Sequence, residues 1–203
     1  MPFKKLHPTL QEMLSAHELN HPTPFQQRSI PVVKSGANTY GIARKGSGKT
    51  TALILTTLQK INCEAVGTTP RALVLVENKA KAMALYDAFL SYTRYTPIRV
   101  YVGHEKLDIE VQKSELFEGA DILISTPKTM NKLFLLNGVS TSQLKICSID
   151  DAEFLAQHTS YNAIMSITQS VYKCQYVLYA EEMHPMLKRF EGYFMERAKV
   201  VSI

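Results

Sequence analysis

The sequence predicts an α/β fold, a mainly parallel central sheet flanked by helices, and two observations carry that prediction. From residue 39 onward, short apolar runs rich in β-branched residues alternate with longer stretches of helical periodicity, the pattern of successive strand–helix units. Between the first such strand and its helix lies Ala43-Arg44-Lys45-Gly46-Ser47-Gly48-Lys49-Thr50, a glycine-containing turn of the kind that holds phosphates in such folds.

The amino-terminal segment differs from the rest. Leu6, Leu10, Met13 and Leu14 fit one face of a helix, Pro22 and Pro24 exclude regular helix interior around them, and Ile30 with Val33 mark a second short helix. Strands are then predicted at Tyr40–Ala43, Ala72–Val76, Ile98–Val102, Asp121–Ser125, Leu144–Ile149, Gln175–Tyr179 and Lys199–Ile203. The intervening helices are predicted at Lys49–Ile61, Lys79–Tyr92, Asp108–Leu116, Lys128–Leu135, Tyr161–Val171 and His184–Arg197. The first of these is rich in threonine, a mediocre helix former, so burial of Leu53, Ile54, Leu58 and Ile61 has to stabilise it. Tyr40, Tyr86, Tyr92 and Tyr101 fall at positions suited to partial core packing.

A length of 203 residues with 45% hydrophobic content suits one folded domain over 1–203. No apolar run approaches the ~20 residues of a membrane span, and the start lacks the apolar stretch of a secretory signal, so the expected location is cytoplasmic. Cys63, Cys147 and Cys174 are too widely spaced for a zinc site and odd in number, which predicts free thiols. Residues 1–60 carry eight Lys/Arg against two Glu, and the remainder fifteen against sixteen acids. That basic excess serves a nucleotide, a nucleic-acid backbone or a plain solvated surface equally well. His104, His158 and His184 read as turn or surface residues, and Ser148 has no recognisable His/Asp relay.

The chemistry concentrates in two segments. In the glycine loop, Gly46 and Gly48 let backbone N–H groups converge on phosphate oxygens at a helix start. Arg44, Lys45 and Ser47 complete the loop, Lys49 sets an ammonium against the outer phosphates, and Thr50 offers its hydroxyl to Mg2+. About a hundred residues later, Asp150-Asp151-Ala152-Glu153 follows an apolar run. Asp150 is the carboxylate for the Mg2+ shell, and Asp151 the group to orient or deprotonate an attacking water.

These residues resemble the amino-terminal RecA-like domain of DEAD-box ATP-dependent RNA helicases, over nearly the whole chain. The family's loop usually opens on alanine, as here at Ala43. Pro22-Thr23-Pro24-Phe25-Gln26-Gln27 is similar to the family's adenine-recognition motif, so residues 1–36 are expected to form an adenine-recognition extension with Gln26 reading the base. Leu19 stands where the family usually has a stacking aromatic, and Phe3 is an aromatic candidate further upstream. The resemblance further implies nucleic-acid contacts at Asn78, Lys79, Gly103, Thr126 and Lys128.

Departures from the pattern are as informative. Asp151 is one methylene shorter than the family's glutamate, Glu153 one longer than its aspartate, and the Ser-Ala-Thr motif falls on Ala180-Glu181-Glu182. The resemblance implies ATP and Mg2+ as cofactors, RNA as partner, and a second RecA-like domain, absent from this chain, that closes over the nucleotide. The function expected is ATP binding and hydrolysis coupled to local RNA duplex separation; the alternative is a catalytically weak ATP- or RNA-binding adapter, with a protein partner.

Overall fold

The computed structural model describes residues 2–171 and 173–203. Two helices open the chain: α1 (Pro8–Ala16), which buries Leu10 and Leu14, and α2 (Pro24–Lys34). Thr23 caps α2 with a reciprocal box, its hydroxyl accepting from the Gln26 N–H while the Gln26 side chain accepts from the Thr23 N–H. Pro24 sits in the first turn, where its missing N–H costs nothing.

Seven strands follow: β1 (Thr39–Ile42), β2 (Ala72–Leu75), β3 (Val100–Gly103), β4 (Ile122–Ser125), β5 (Ile146–Ile149), β6 (Gln175–Ala180) and β7 (Lys199–Ser202). They form one sheet in the order β3-β4-β2-β5-β6-β1-β7, and every pairing among the described residues is parallel. The connecting helices are α3 (Lys49–Lys60), α4 (Lys79–Thr93), α5 (Ile109–Glu118), α6 (Pro127–Leu135), α7 (His158–Gln169) and α8 (Pro185–Lys188).

Period-two alternation along the strands divides the core. Ala72 and Val74 face one layer with Leu10, Phe25, Leu53, Leu55, Leu58 and Phe89. Leu73 and Leu75 face the other with Met130, Leu133, Ile164, Ile167 and Phe190. Each fully buried side chain of this size contributes about 1.5–3 kcal/mol relative to exposure, and the central strands β2, β4 and β5 are buried on both faces. In β1, a Cβ on Gly41 would lie 2.9 Å from the Phe25 ring and 3.0 Å from Tyr179, so glycine there lets α2 sit directly on the strand that leads into the glycine loop. No helix among the described residues is long and apolar enough to cross a membrane.

Most elements lie within a few residues of their predicted ends, and Leu53, Ile54, Leu58 and Ile61 are all buried as the threonine-rich helix requires. One element is corrected. The helix predicted over His184–Arg197 is only α8, continued by a 3-10 turn at Arg189–Gly192 and then irregular backbone. Gly192 weakens helix interior by about 1 kcal/mol, Tyr193 leaves helical geometry at φ −134° and ψ −106°, and Arg197 adopts φ 56°. Burial of Phe190 and Met195, with Phe190 stacked on Tyr161 at 5.2 Å, favours this tighter path.

Candidate functional site

The parallel register brings the predicted residues to one rim. Leu75 lies opposite both Ser125 and Ile149, and Gly103 opposite Ser125, so the segments after β2, β3, β4 and β5 leave the sheet side by side. β1 and β6 end together on the same rim, with Ile42 opposite Ala180. Ligand sites of open parallel sheets form along such carboxyl ends.

At this rim the loop from Ala43 to Gly48 bends back into α3, whose amino-terminal turn holds no acidic side chain. Gly48 caps α3 at φ 91°, a left-handed geometry that disfavours any side chain. Arg44, Lys45, Gly46 and Thr50 are exposed, whereas Lys49 is only 6% exposed. The Lys49 ammonium donates to the Ala43 carbonyl, which carries its charge into the curve of the loop.

Gln26 and Thr23 brace the loop from behind. The Gln26 amide donates to the Gly48 carbonyl at 3.2 Å and accepts from the Thr23 N–H at 3.0 Å. Thr23 donates its hydroxyl to the Ser47 carbonyl at 2.7 Å. Gln26 is thus 5% exposed and tied to backbone at both ends of its carboxamide. Sequence reasoning assigned it to the adenine edge and missed this bracing role, although the Thr-x-x-Gln spacing of a capping box was legible. Leu19 is exposed, whereas Phe3 packs in the core with Leu6 and Leu10, so Phe3 presents no ring to a base.

The acidic segment leaves β5 next to the loop. Asp150 donates its N–H to the Leu75 carbonyl at 3.0 Å, and its Oδ1 is buried without a hydrogen-bond partner. Burial, then the neighbouring Asp151 charge, push the Asp150 carboxyl up to about 6, against the pull of Lys49 and Lys81. A buried carboxylate oxygen with no partner, electrostatically coupled to Lys49, fits a divalent cation. Mg2+ usually takes only one or two carboxylates and completes its shell with phosphate and water.

Asp151 adopts φ 47° and ψ 58° and pairs with Lys81 at 3.2 Å. Lys81 also pairs with Glu77, four residues earlier, at 3.2 Å. Burial works against the Lys81 ammonium, and hydrogen bonds to Glu77 and Asp151 more than offset it, raising its pKa. Glu153 accepts the Glu181 N–H, so the longer acid meets backbone where the family's hydroxyl motif is replaced. The cleft here, about 530 Å³, is lined by Glu77, Lys81, Asp151, Glu153, Glu181 and Glu182 among others.

The other predicted contacts adjoin along β2, β3 and β4. Asn78 caps α4, accepting from the Lys81 N–H at 3.1 Å. Gly103 ends β3, and His104 after it opens a turn, as one of its two expected placements had it, but is buried and not at the surface. Gln112 draws it in, accepting the His104 N–H at 3.2 Å and donating to its carbonyl at 3.1 Å. Burial, and then Lys79 nearby, lower the His104 pKa. Thr126 caps α6 and donates its hydroxyl to Glu105 at 2.6 Å, with Lys128 exposed beside it. A second cleft holds Glu77, Glu105, Thr126 and Lys128; the two acids in it were not singled out from sequence.

The family model described as DEAD/DEAH box helicase matches residues 23–180. The chain is 31% identical over 138 residues to ATP-dependent RNA helicase ddx54 of Dictyostelium discoideum, covering 67% of this chain and 12% of that protein. It is 26% identical over 203 residues to ATP-dependent RNA helicase DeaD of Buchnera aphidicola subsp. Schizaphis graminum, covering 99% of this chain and 33% of that one. Among solved structures, a DEAD box protein from the hyperthermophile Methanococcus jannaschii superposes with a TM-score of 0.89 at 16% identity, over 98% of this chain and 54% of that one. S. cerevisiae dbp5, bound to nup159, gle1, IP6 and ADP, superposes with a TM-score of 0.84 at 21% identity, over 98% of this chain and 52% of that one. The chain therefore spans a minor share of those curated relatives and about half of those solved chains.

Proposed function

Because the chain belongs to the DEAD/DEAH box helicase family, we propose that it forms the ATP-binding half of an RNA-dependent ATPase, working with a second RecA-like domain. The observation that carries this reading is the electrostatic coupling of Lys49 in the glycine loop to Asp150 after β5, whose buried Oδ1 has no hydrogen-bond partner. The N–H groups from Arg44 to Thr50 receive the phosphates, Lys49 neutralises them, and the remaining amide hydrogen of Gln26 reads adenine. Thr50 and Asp150 would hold Mg2+, which when bound supplies charge neutralisation at the outer phosphates. Asn78, Lys79, Gly103, Thr126 and Lys128 form a track for an RNA backbone, supported by their adjacency along the rim.

ATP then favours the closed arrangement of two domains, which bends bound RNA and separates a short duplex. Two observations favour slow hydrolysis in this chain: Asp151 is committed to an ion pair, and Ala180-Glu181-Glu182 offers no hydroxyl to relay closure. An ATP- or RNA-binding adapter that recruits a protein is the second reading these two features support.

Calorimetry with ATP and Mg2+ on the native chain and on Lys49→Ala tests the central site. Binding that weakens by at least about tenfold in the variant, roughly 1.4 kcal/mol, is the expected result. Equal affinity for both proteins would remove the phosphate loop from the account.

A further inference from the structure

The Lys81 ammonium sits 3.2 Å from Glu77 and 3.2 Å from Asp151, and its placement is built into the fold. Glu77 follows β2, just ahead of the Asn78 cap of α4, and reaches its carboxylate onto Lys81 in the first turn of that helix. Asp151 arrives from the neighbouring strand, since β2 and β5 pair with Leu75 opposite Ile149. The left-handed backbone at Asp151, uncommon for a residue with a side chain, sets the direction of its carboxylate. Among the described residues, Lys81 is the only Lys or Arg lining a cleft that also holds Glu77, Asp151, Glu153, Glu181 and Glu182. Lys81 is thus the single Lys or Arg cation among the five acids that line this cleft.

A carboxylate that accepts a proton from water has to offer a free oxygen toward that water. At Asp151 one oxygen is held by Lys81, and the side chain is already short. We propose that Lys81 restrains Asp151, acting as a positioning residue that keeps ATP hydrolysis slow without weakening ATP binding. This rests on the reading of the site as an ATPase. In the restrained step, water oxygen bonds to the terminal phosphorus as one water proton passes to the Asp151 carboxylate. The bond between that phosphorus and the bridging oxygen breaks, and ADP and inorganic phosphate leave. Freeing Asp151 from the ammonium lets its carboxylate turn either oxygen toward the water.

Steady-state, RNA-stimulated hydrolysis by the full-length protein, with its second RecA-like domain, carrying Lys81→Met, an unbranched apolar replacement suited to a helix, tests this. An exposed ion pair has modest strength, so kcat should rise about three- to fivefold with KM unchanged. Lys81→Arg retains the charge and should keep the slow rate, and adding Asp151→Asn to Lys81→Met should abolish the gain. A measurement independent of turnover is amine labelling of the nucleotide-free protein, followed by mass spectrometry. Asp151→Asn should speed labelling of Lys81 by about twofold or more and leave Lys79 unchanged. Unaltered or lower kcat in Lys81→Met, with ATP binding intact, would overturn the restraint alone; so would labelling of Lys81 that ignores Asp151. Failure of the unsubstituted chain to bind ATP in calorimetry would bring down both the restraint and the ATPase reading beneath it.

Discussion

Alanine at Gly48 brings two separate costs to the phosphate loop, and the structure provides a control that separates them. Gly48 adopts φ 91°, and a Cβ there would lie 2.4 Å from Gln26 Nε2. The left-handed backbone costs a non-glycine residue about 1–2 kcal/mol. Displacing the Gln26 amide breaks its bond to the Gly48 carbonyl and leaves buried polar groups short of partners, about 1–2 kcal/mol more. The sum is about 3 kcal/mol, which for a chain of this size lowers Tm by about 6–12 °C. Gly46 has a comparable φ of 81°, but a Cβ there meets nothing within 4 Å. Gly46→Ala therefore bears the backbone cost alone, about 1 kcal/mol and 2–4 °C. Thermal and urea unfolding of both variants measures the difference, and the Gln26→Ala/Gly48→Ala pair closes a double-mutant cycle. Once Gln26→Ala has removed the carboxamide, the Gly48→Ala penalty should shrink to that of Gly46→Ala. Equal destabilisation by the two single glycine variants would refute the claim that Gln26 braces the loop.

Two further perturbations probe a buried ion pair in the fold and a hydroxyl contact in the site. Asp121 is fully buried and takes hydrogen bonds from Arg71, from the Arg99 side chain and N–H, and from the Val66 N–H. Burial raises its pKa, but these donors more than reverse that and leave it lowered; its contribution is therefore present above the ordinary carboxylate range and lost as pH falls through the lowered value. Asp121→Asn should cost about 3 kcal/mol at neutral pH by leaving Arg71 without its counter-ion, and flatten the acid limb of a stability–pH curve; an unchanged limb would contradict this. Glu105→Ala frees the Thr126 hydroxyl and removes a negative charge from the RNA track, so fluorescence anisotropy with single-stranded oligouridylate should show about two- to fivefold tighter binding. Unaltered affinity would remove Thr126 from that track.

The sheet was legible because each strand is a short apolar run bounded by turn residues, and the loop because Gly46, Gly48, Lys49 and Thr50 keep fixed spacing between a strand and a helix. The helix predicted beyond His184 failed where tertiary packing of Phe190 and Met195 outweighed a periodic pattern containing Gly192. The site was legible as a set of positions and less so as a set of contacts. Lys81, Glu105 and Glu153 find partners on other strands or loops, and no local period encodes such a meeting. Only the spacing of Glu77 and Lys81 carried a local signal, and it pointed them to each other, not to Asp151.

The position of β1 in the sheet has a consequence for how the protein is made. Thr39 lies opposite Val177 on one side and Lys199 on the other, so the strand that leads into the phosphate loop finds its ladder partners only in polypeptide translated much later. While the ribosome is still adding β2 to β5, Tyr40 and Ile42 have no neighbours to zip against, and the carbonyl of Ala180 that receives the Ala43 N–H does not yet exist. Until β6 and β7 have emerged, β1 therefore stays an unpaired strand, a delay that rewards chaperones able to shield it.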